Sequence, residues 1–315
     1  MLKKTLGSAF AFSLLLGGQA TFASSEINED VFIKGADLDS NELEQTKKEL
    51  DVTDGYKEYS INTQDVAKYT GNSSLSYIHS SATIEPKQFG KGVSVEIVTP
   101  NNITRITSEQ YMNAAISAGV QNANIKIASI DQVTGEGALS GIFKAYEKNG
   151  NALNQNDINN AQEEMNQLAT ISEDNQSQKG YSDEALNHAI ANMKQEIASE
   201  KQENKSLDNQ QIENIVDEEL KKSGLNKVLS DNQITVINNI MINVANSEIM
   251  NQDPKAFEKQ ADSLKNSIKD KAGGLVDKAK NLDTQENRNL LQKIWDSIVS
   301  FFQWLYDSIM RLINF

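Results

Sequence analysis

The chain has 315 residues, a formal net charge of −14 at pH 7 and no cysteine. Such an acidic balance opposes nucleic-acid binding, which needs a basic footprint. Zero cysteine excludes disulfides, thiolate metal sites, a Cys nucleophile and the Cys anchor of bacterial lipoproteins.

In chain order, Met1-Leu2-Lys3-Lys4 supplies a positive start and residues 6–16 an apolar stretch. Gly18-Gln19-Ala20 or Thr21-Phe22-Ala23 then offers a small-residue cleavage site. Residues 1–25 therefore read as a secretory signal peptide, and the protein is expected outside the cell or on the outer face of the cytoplasmic membrane. Losing Lys3 and Lys4 with this leader deepens the charge to −16. Export without disulfides suits a bacterium.

Residues 31–150 read as a mixed α/β domain. Val31-Phe32-Ile33 is a short apolar run stopped by Gly35, and Asp39-Ser40-Asn41-Glu42 is a capping box that opens a helix. Residues 56–61 suggest a strand and 63–69 a short helix. Residues 77–84 and 93–98 alternate at period two and suggest an antiparallel hairpin with a long loop. Residues 103–106 extend the strand region. Thr107-Ser108-Glu109-Gln110 caps a helix ending at Gly119. Residues 125–128 form a strand, and a helix from 137 to 146 ends near Gly150.

Residues 151–281 read as a helical region, with helices near 155–172, 183–200, 207–223, 231–247 and 254–271. Ser182, Ser206 or Asp208, and Ser230 are candidate caps, Pro254 suits a first helical position, and Gly224 suits the residue after a helix end. The helix carrying Ile234, Ile237, Ile240, Met241 and Val244 is expected to be buried. Gly273-Gly274 breaks the pattern. The fold class is thus α+β: a mixed strand/helix N-terminal domain, a helical region and a C-terminal amphipathic helix over 284–315.

That last segment holds both tryptophans. Wound as a helix, it gathers Leu291, Ile294, Trp295, Ile298, Phe302, Leu305 and Ile309 on one face. Trp304 falls on the polar side, as suits a ring at a membrane–water boundary. The uncharged run between Asp296 and Asp307 is only about half the roughly 20 residues that spanning requires. Three partners remain open for these residues: a membrane surface, a second copy of the chain, or the protein's own core.

Candidate chemistry in the body is weak. Thr134-Gly135-Glu136-Gly137-Ala138-Leu139-Ser140-Gly141 approaches a dinucleotide fingerprint, but Ser140 occupies the final glycine position and Glu136 would repel phosphate. Packing glycines at a strand–helix junction are the better reading, and no cofactor is expected. Asp37-Leu38-Asp39-Ser40-Asn41 resembles the start of an EF-hand loop, but Glu42 replaces its glycine and Lys48 its last ligand. His79 and His188 are the two histidines, far apart and outside any triad or zinc pattern. No catalytic or metal residue is assigned. Glu163-Glu164 and Glu218-Glu219 are expected on solvated helix faces. Asn and Gln make up roughly one residue in six, which solubility and AT-rich coding both explain.

The ordered set Gly35-Ala36-Asp37-Leu38, Tyr77-Ile78-His79-Ser80-Ser81-Ala82-Thr83-Ile84-Glu85-Pro86, Gly90-Lys91-Gly92-Val93-Ser94-Val95-Glu96-Ile97 and residues 134–147 resembles the YpuA-like family, the domain of unknown function DUF1002. The resemblance spans about residues 31–250. It implies an exported Gram-positive protein with no assigned activity, cofactor or catalytic residue, and it treats the Asn- and Gln-rich stretch near 151–180 as a variable spacer. The expected function is a non-enzymatic cell-envelope protein on the membrane surface. The rivals are an extracellular carboxylate-based hydrolase of wall material and an oligomer assembled through the tail.

Overall fold

A computed structural model describes residues 26–70, 75–87, 92–151, 153–203 and 206–280. The leader (1–25) and the 284–315 segment lie outside these residues. The N-terminal part runs β1 (Val31–Gly35), α1 (Ser40–Glu49), β2 (Lys57–Ile61), α2 (Thr63–Thr70), β3 (Ser81–Pro86), β4 (Ser94–Ile97), α3 (Ser108–Ser117), β5 (Ala123–Ala128) and α4 (Glu136–Lys148). Six α-helices follow among the described residues: α5 (Gln155–Asn175), α6 (Asp183–Glu203), α7 (Asn209–Lys222), α8 (Asp231–Ala245), α9 (Glu248–Gln252) and α10 (Pro254–Lys280). The α+β class holds.

Local signals set the element starts. Asp39 and Thr107 close capping boxes with Glu42 and Gln110, and Asp208 and Ser230 do so with Gln211 and Gln233. Each box satisfies orphan amides at both residues, so it fixes a helix start from sequence neighbours alone. Asp39 is thus a helix cap, and the EF-hand similarity ends there.

The five strands form one mixed sheet in the order β2-β1-β3-β5-β4. The expected β3–β4 hairpin is absent: β5 lies between them, antiparallel to β3 and parallel to β4. The pleat explains the insertion. Ile84, Ile125 and Val95 stand in register and are all buried on one face. Seven connecting residues can reach across two strand spacings of roughly 10 Å in all. Residues 103–106 add only a single bridge, Ile103 to Val133.

Val31, Ile33, Ala82, Ile84, Ile125 and Ile127 face the main core. Phe32, Leu50 and Ala128 make a small second cluster under α1 on the opposite face. On the core side α4 packs on β1, β2 and β3. Gly141 permits that approach, because a Cβ there would meet Ile33 Cγ2 at 2.9 Å. Gly135 has φ +113°, and its carbonyl accepts a hydrogen bond from the Tyr111 hydroxyl at 2.5 Å. These are packing glycines, as expected.

Helix α3 is enclosed on all sides. Residues 110 to 117 are all buried, including Gln110, Asn113 and Ser117. It touches β4, α5, α6 and α10, so its polar residues need protein partners. Ser117 Oγ donates to Glu164 Oε2 at 2.6 Å, and Gln110 Nε2 donates to Ser172 Oγ at 3.1 Å. Lys194 Nζ donates to Glu164 Oε1 at 2.6 Å and to the Asn113 carbonyl at 2.9 Å. The Lys194 and Glu164 side chains are 0% and 1% exposed. Burial pushes the Lys194 ammonium below its usual range, and Glu164 opposes that shift.

Three expectations are corrected here. Glu164 and Glu219 are buried, not solvated; charges leave water only where partners are fixed, and helical periodicity does not reveal those partners. The stretch near 151–180 is no spacer, because Ala161, Met165 and Leu168 of α5 are fully buried. Gly273-Gly274 does not end α10, which runs on to Lys280; a helical glycine costs only about 1 kcal/mol relative to Ala.

His188 of α6 is 7% exposed, and burial beside Lys265 and Lys269 lowers its pKa from 6.5 to about 4. Its Nδ1 lies 3.2 Å from Asn192 Nδ2, which also donates to Glu219 Oε1 at 2.8 Å. Burial raises the Glu219 carboxyl.

Two measurements follow from these buried groups. Glu164→Gln should lower unfolding stability by about 3–5 kcal/mol by stranding the Lys194 charge. The double variant Glu164→Leu/Lys194→Met should lie closer to the native protein, and urea denaturation reads both. His188 is held neutral when folded, so the unfolded chain binds the extra proton between pH 6.5 and about 4. Stability is therefore lost as pH falls through that window. The loss from pH 7 to 4 should be about 3 kcal/mol smaller in His188→Gln, after Glu219 (which acts with the opposite sign) is cancelled in the comparison.

Candidate functional site

The residues assigned from the sequence to a membrane or partner contact, Leu291, Ile294, Trp295, Ile298, Phe302, Trp304, Leu305 and Ile309, lie outside the described residues. Within them, α5 floors a groove of about 750 Å³, with α2 and α8 as walls. That volume falls in the ordinary range for a small-ligand site.

Helical spacing builds its floor. Ile158, Ala161, Met165 and Leu168 point α5 into the core. Gln155, Asn159, Gln162, Asn166 and Thr170 recur every three or four residues and line the groove. Asn232 and Gln233 face them from the start of α8, with Val236 one turn further on. Amide side chains thus dominate a surface that helix faces more often give to charged residues.

Several of these groups are fixed in advance. Arg105, on the segment between β4 and α3, donates from Nη1 to Asn166 Oδ1 and from Nη2 to Thr170 Oγ1, each at 3.0 Å. The same guanidinium donates to Glu136 Oε1 at 2.8 Å and to Glu173 Oε1 at 3.1 Å. Glu136, in the glycine run, is therefore an arginine partner that ties the β5–α4 junction to α5. Gln167 Nε2 donates to Glu163 Oε1 at 2.8 Å, and Gln233 Nε2 to Asp174 Oδ2 at 3.3 Å. Gln162 is 2% exposed; its Nε2 donates to Ser140 Oγ at 3.0 Å, while its Oε1 has no partner among the described residues.

Electrostatically the groove is mildly acidic. Glu163 and Asp174 line it, and the Lys68 ammonium is bound to Glu147 at 2.6 Å. The two lining carboxylates sit eleven positions apart on α5, roughly 16 Å along the helix axis. Glycoside hydrolysis needs carboxylates about 5–10 Å apart on either side of one bond. This pair does not meet that geometry.

The two histidines do not converge. His79 Nδ1 pairs with Asp131 Oδ2 at 2.7 Å, with the Tyr77 ring 4.9 Å away, whereas His188 lies buried on α6. Among the described residues no group of three or more His, Cys, Asp or Glu is arranged to hold a metal ion. The groove residues went unnoticed in the sequence because scattered Asn and Gln read as solubilising. Their recurrence at positions 155, 159, 162 and 166 was the available signal.

The comparisons agree with the sequence resemblance. Uncharacterized protein YpuA of Bacillus subtilis (strain 168) is 28% identical over 307 residues, covering 94% of this chain and 97% of its own. No solved structure matches the chain. The model of a family described as "Protein of unknown function (DUF1002)" matches residues 34–264, and the chain belongs to that family.

Proposed function

We propose that the protein is an exported, non-enzymatic component of the bacterial cell envelope, held at the membrane surface by its 284–315 segment. The leader-like residues 1–25 support export. The observation that carries the membrane reading is the completeness of the body. Tyr77 is the one exposed large hydrophobic side chain among the described residues. Phe257, Ala261, Leu264 and Ile268 of α10 are already buried in the core. An amphipathic helix presenting Trp295, Ile298, Phe302 and Leu305 would find little apolar surface there to cover.

A lipid interface supplies that surface. Burial of several large apolar side chains gives about 1.5–3 kcal/mol each, enough for reversible surface binding without anionic lipid. The acidic body favours that mode, because it would be repelled by an anionic bilayer. No described helix is long and apolar enough to cross a membrane. Self-association through the same stripe is the competing use of the segment.

Cells producing the full chain, or a chain ending at Asn281, should partition differently. The full chain should sediment with membranes and co-float with phosphatidylcholine vesicles, and the shortened chain should remain in the medium. Equal release of both into the medium would defeat the anchoring reading. A larger particle by light scattering for the full chain alone, without co-flotation, would assign the segment to self-association.

A further inference from the structure

We propose that the α5–α8 groove is a binding site for an uncharged, polyhydroxylated ligand, a neutral oligosaccharide. This inference concerns the body alone and holds whether or not the 284–315 segment meets a membrane. Planar amides both donate and accept, so one side chain can engage adjacent hydroxyls of a sugar ring. The groove offers a row of them along α5, at Gln155, Asn159, Gln162 and Asn166, faced by Asn232 on α8.

The groove is also preorganised. Arg105 clamps Asn166 and Thr170 in place, and Glu163 orients Gln167. Fixing such side chains before binding removes part of the ordering cost of association. Gln162 adds a buried acceptor, Oε1, left without a partner among the described residues. A buried acceptor of this kind is costly unless a donor reaches it, and Gln162 is among the residues that line the groove.

Other ligand classes fit less well. Peptides are usually held by a free strand edge, an apolar groove, an aromatic-lined proline track or an arginine cluster. This surface is made from helix faces, and its apolar lining is Ile171 and Val236. Anions would face Glu163 and Asp174, with Lys68 already engaged by Glu147. A single cation would not be gripped by two carboxylates about 16 Å apart.

The full chain without its leader should be screened on an array of neutral, anionic and cationic oligosaccharides and short peptides. Its strongest ligand is then titrated by calorimetry. The expected result is a neutral oligosaccharide bound in the micromolar to low millimolar range, with affinity reduced at least tenfold in Asn166→Ala and in Gln167→Ala. Urea midpoints show whether both variants remain folded, and Gln167→Ala, altered at the groove's partly exposed rim, keeps the test usable if Asn166→Ala does not fold. The proposal is overturned if no neutral sugar binds, if only peptides or charged glycans bind, or if a folded groove variant binds as tightly as the native chain.

Discussion

The buried contact between Lys194 and Glu164 ties α5 to α6 and both of them to α3. Two opposite charges, both removed from water, need mutual contact and further hydrogen bonds to offset desolvation. Ser117 and Asn113 of α3 supply those bonds. A helix enclosed on every side therefore acquires a direction: its polar residues must face α5 and α6, and its remaining buried side chains fill the other contacts. Apolar packing alone would leave the rotation of α3 less specified, since hydrophobic contact is not directional. Gln110 with Ser172, and Asn113 with Asn187, repeat the same logic along the seam.

That seam also sets the groove. Helix α5 is held inward by Glu164 and Ser172, laterally by Arg105, and near its start by Asp157, whose carboxylate accepts from the Glu248 and Ile249 amides at 3.0 Å. With one face bound into the core, the amide stripe is presented to the gap between α2 and α8 with little rotational freedom. Rigid secondary structure beneath a polar surface is what a preorganised site requires.

Much of the fold was legible because it is written locally. Asp39, Thr107, Asp208 and Ser230 announce helix starts through residues three positions away, and the apolar run of β5 reads correctly as a strand. The sheet order was not legible. Placing β5 between β3 and β4 depends on which strand completes the row of Ile84, Ile125 and Val95, a choice made across some forty residues of chain. The buried charges were hidden for the same reason. Glu164 looks like its neighbour Glu163 until Lys194, thirty positions on, is brought against it. The groove is an intermediate case: the amide periodicity was present in α5, but its meaning depended on α8 closing the other wall.

The boundary suggested near residue 150 falls between α4 and α5, yet the main core contains Ile142 and Phe143 on one side and Met165 and Ile190 on the other. The polar seam crosses the same line, so the sheet and the helices are expected to unfold as one cooperative body. Native-state hydrogen exchange over a denaturant series tests this most directly. Amides of β3, β5, α3, α5 and α6 should lose protection in a single transition with a common free energy. Loss of protection in α5 and α6 at lower denaturant, while β3, β5 and α3 remain protected, would contradict the account.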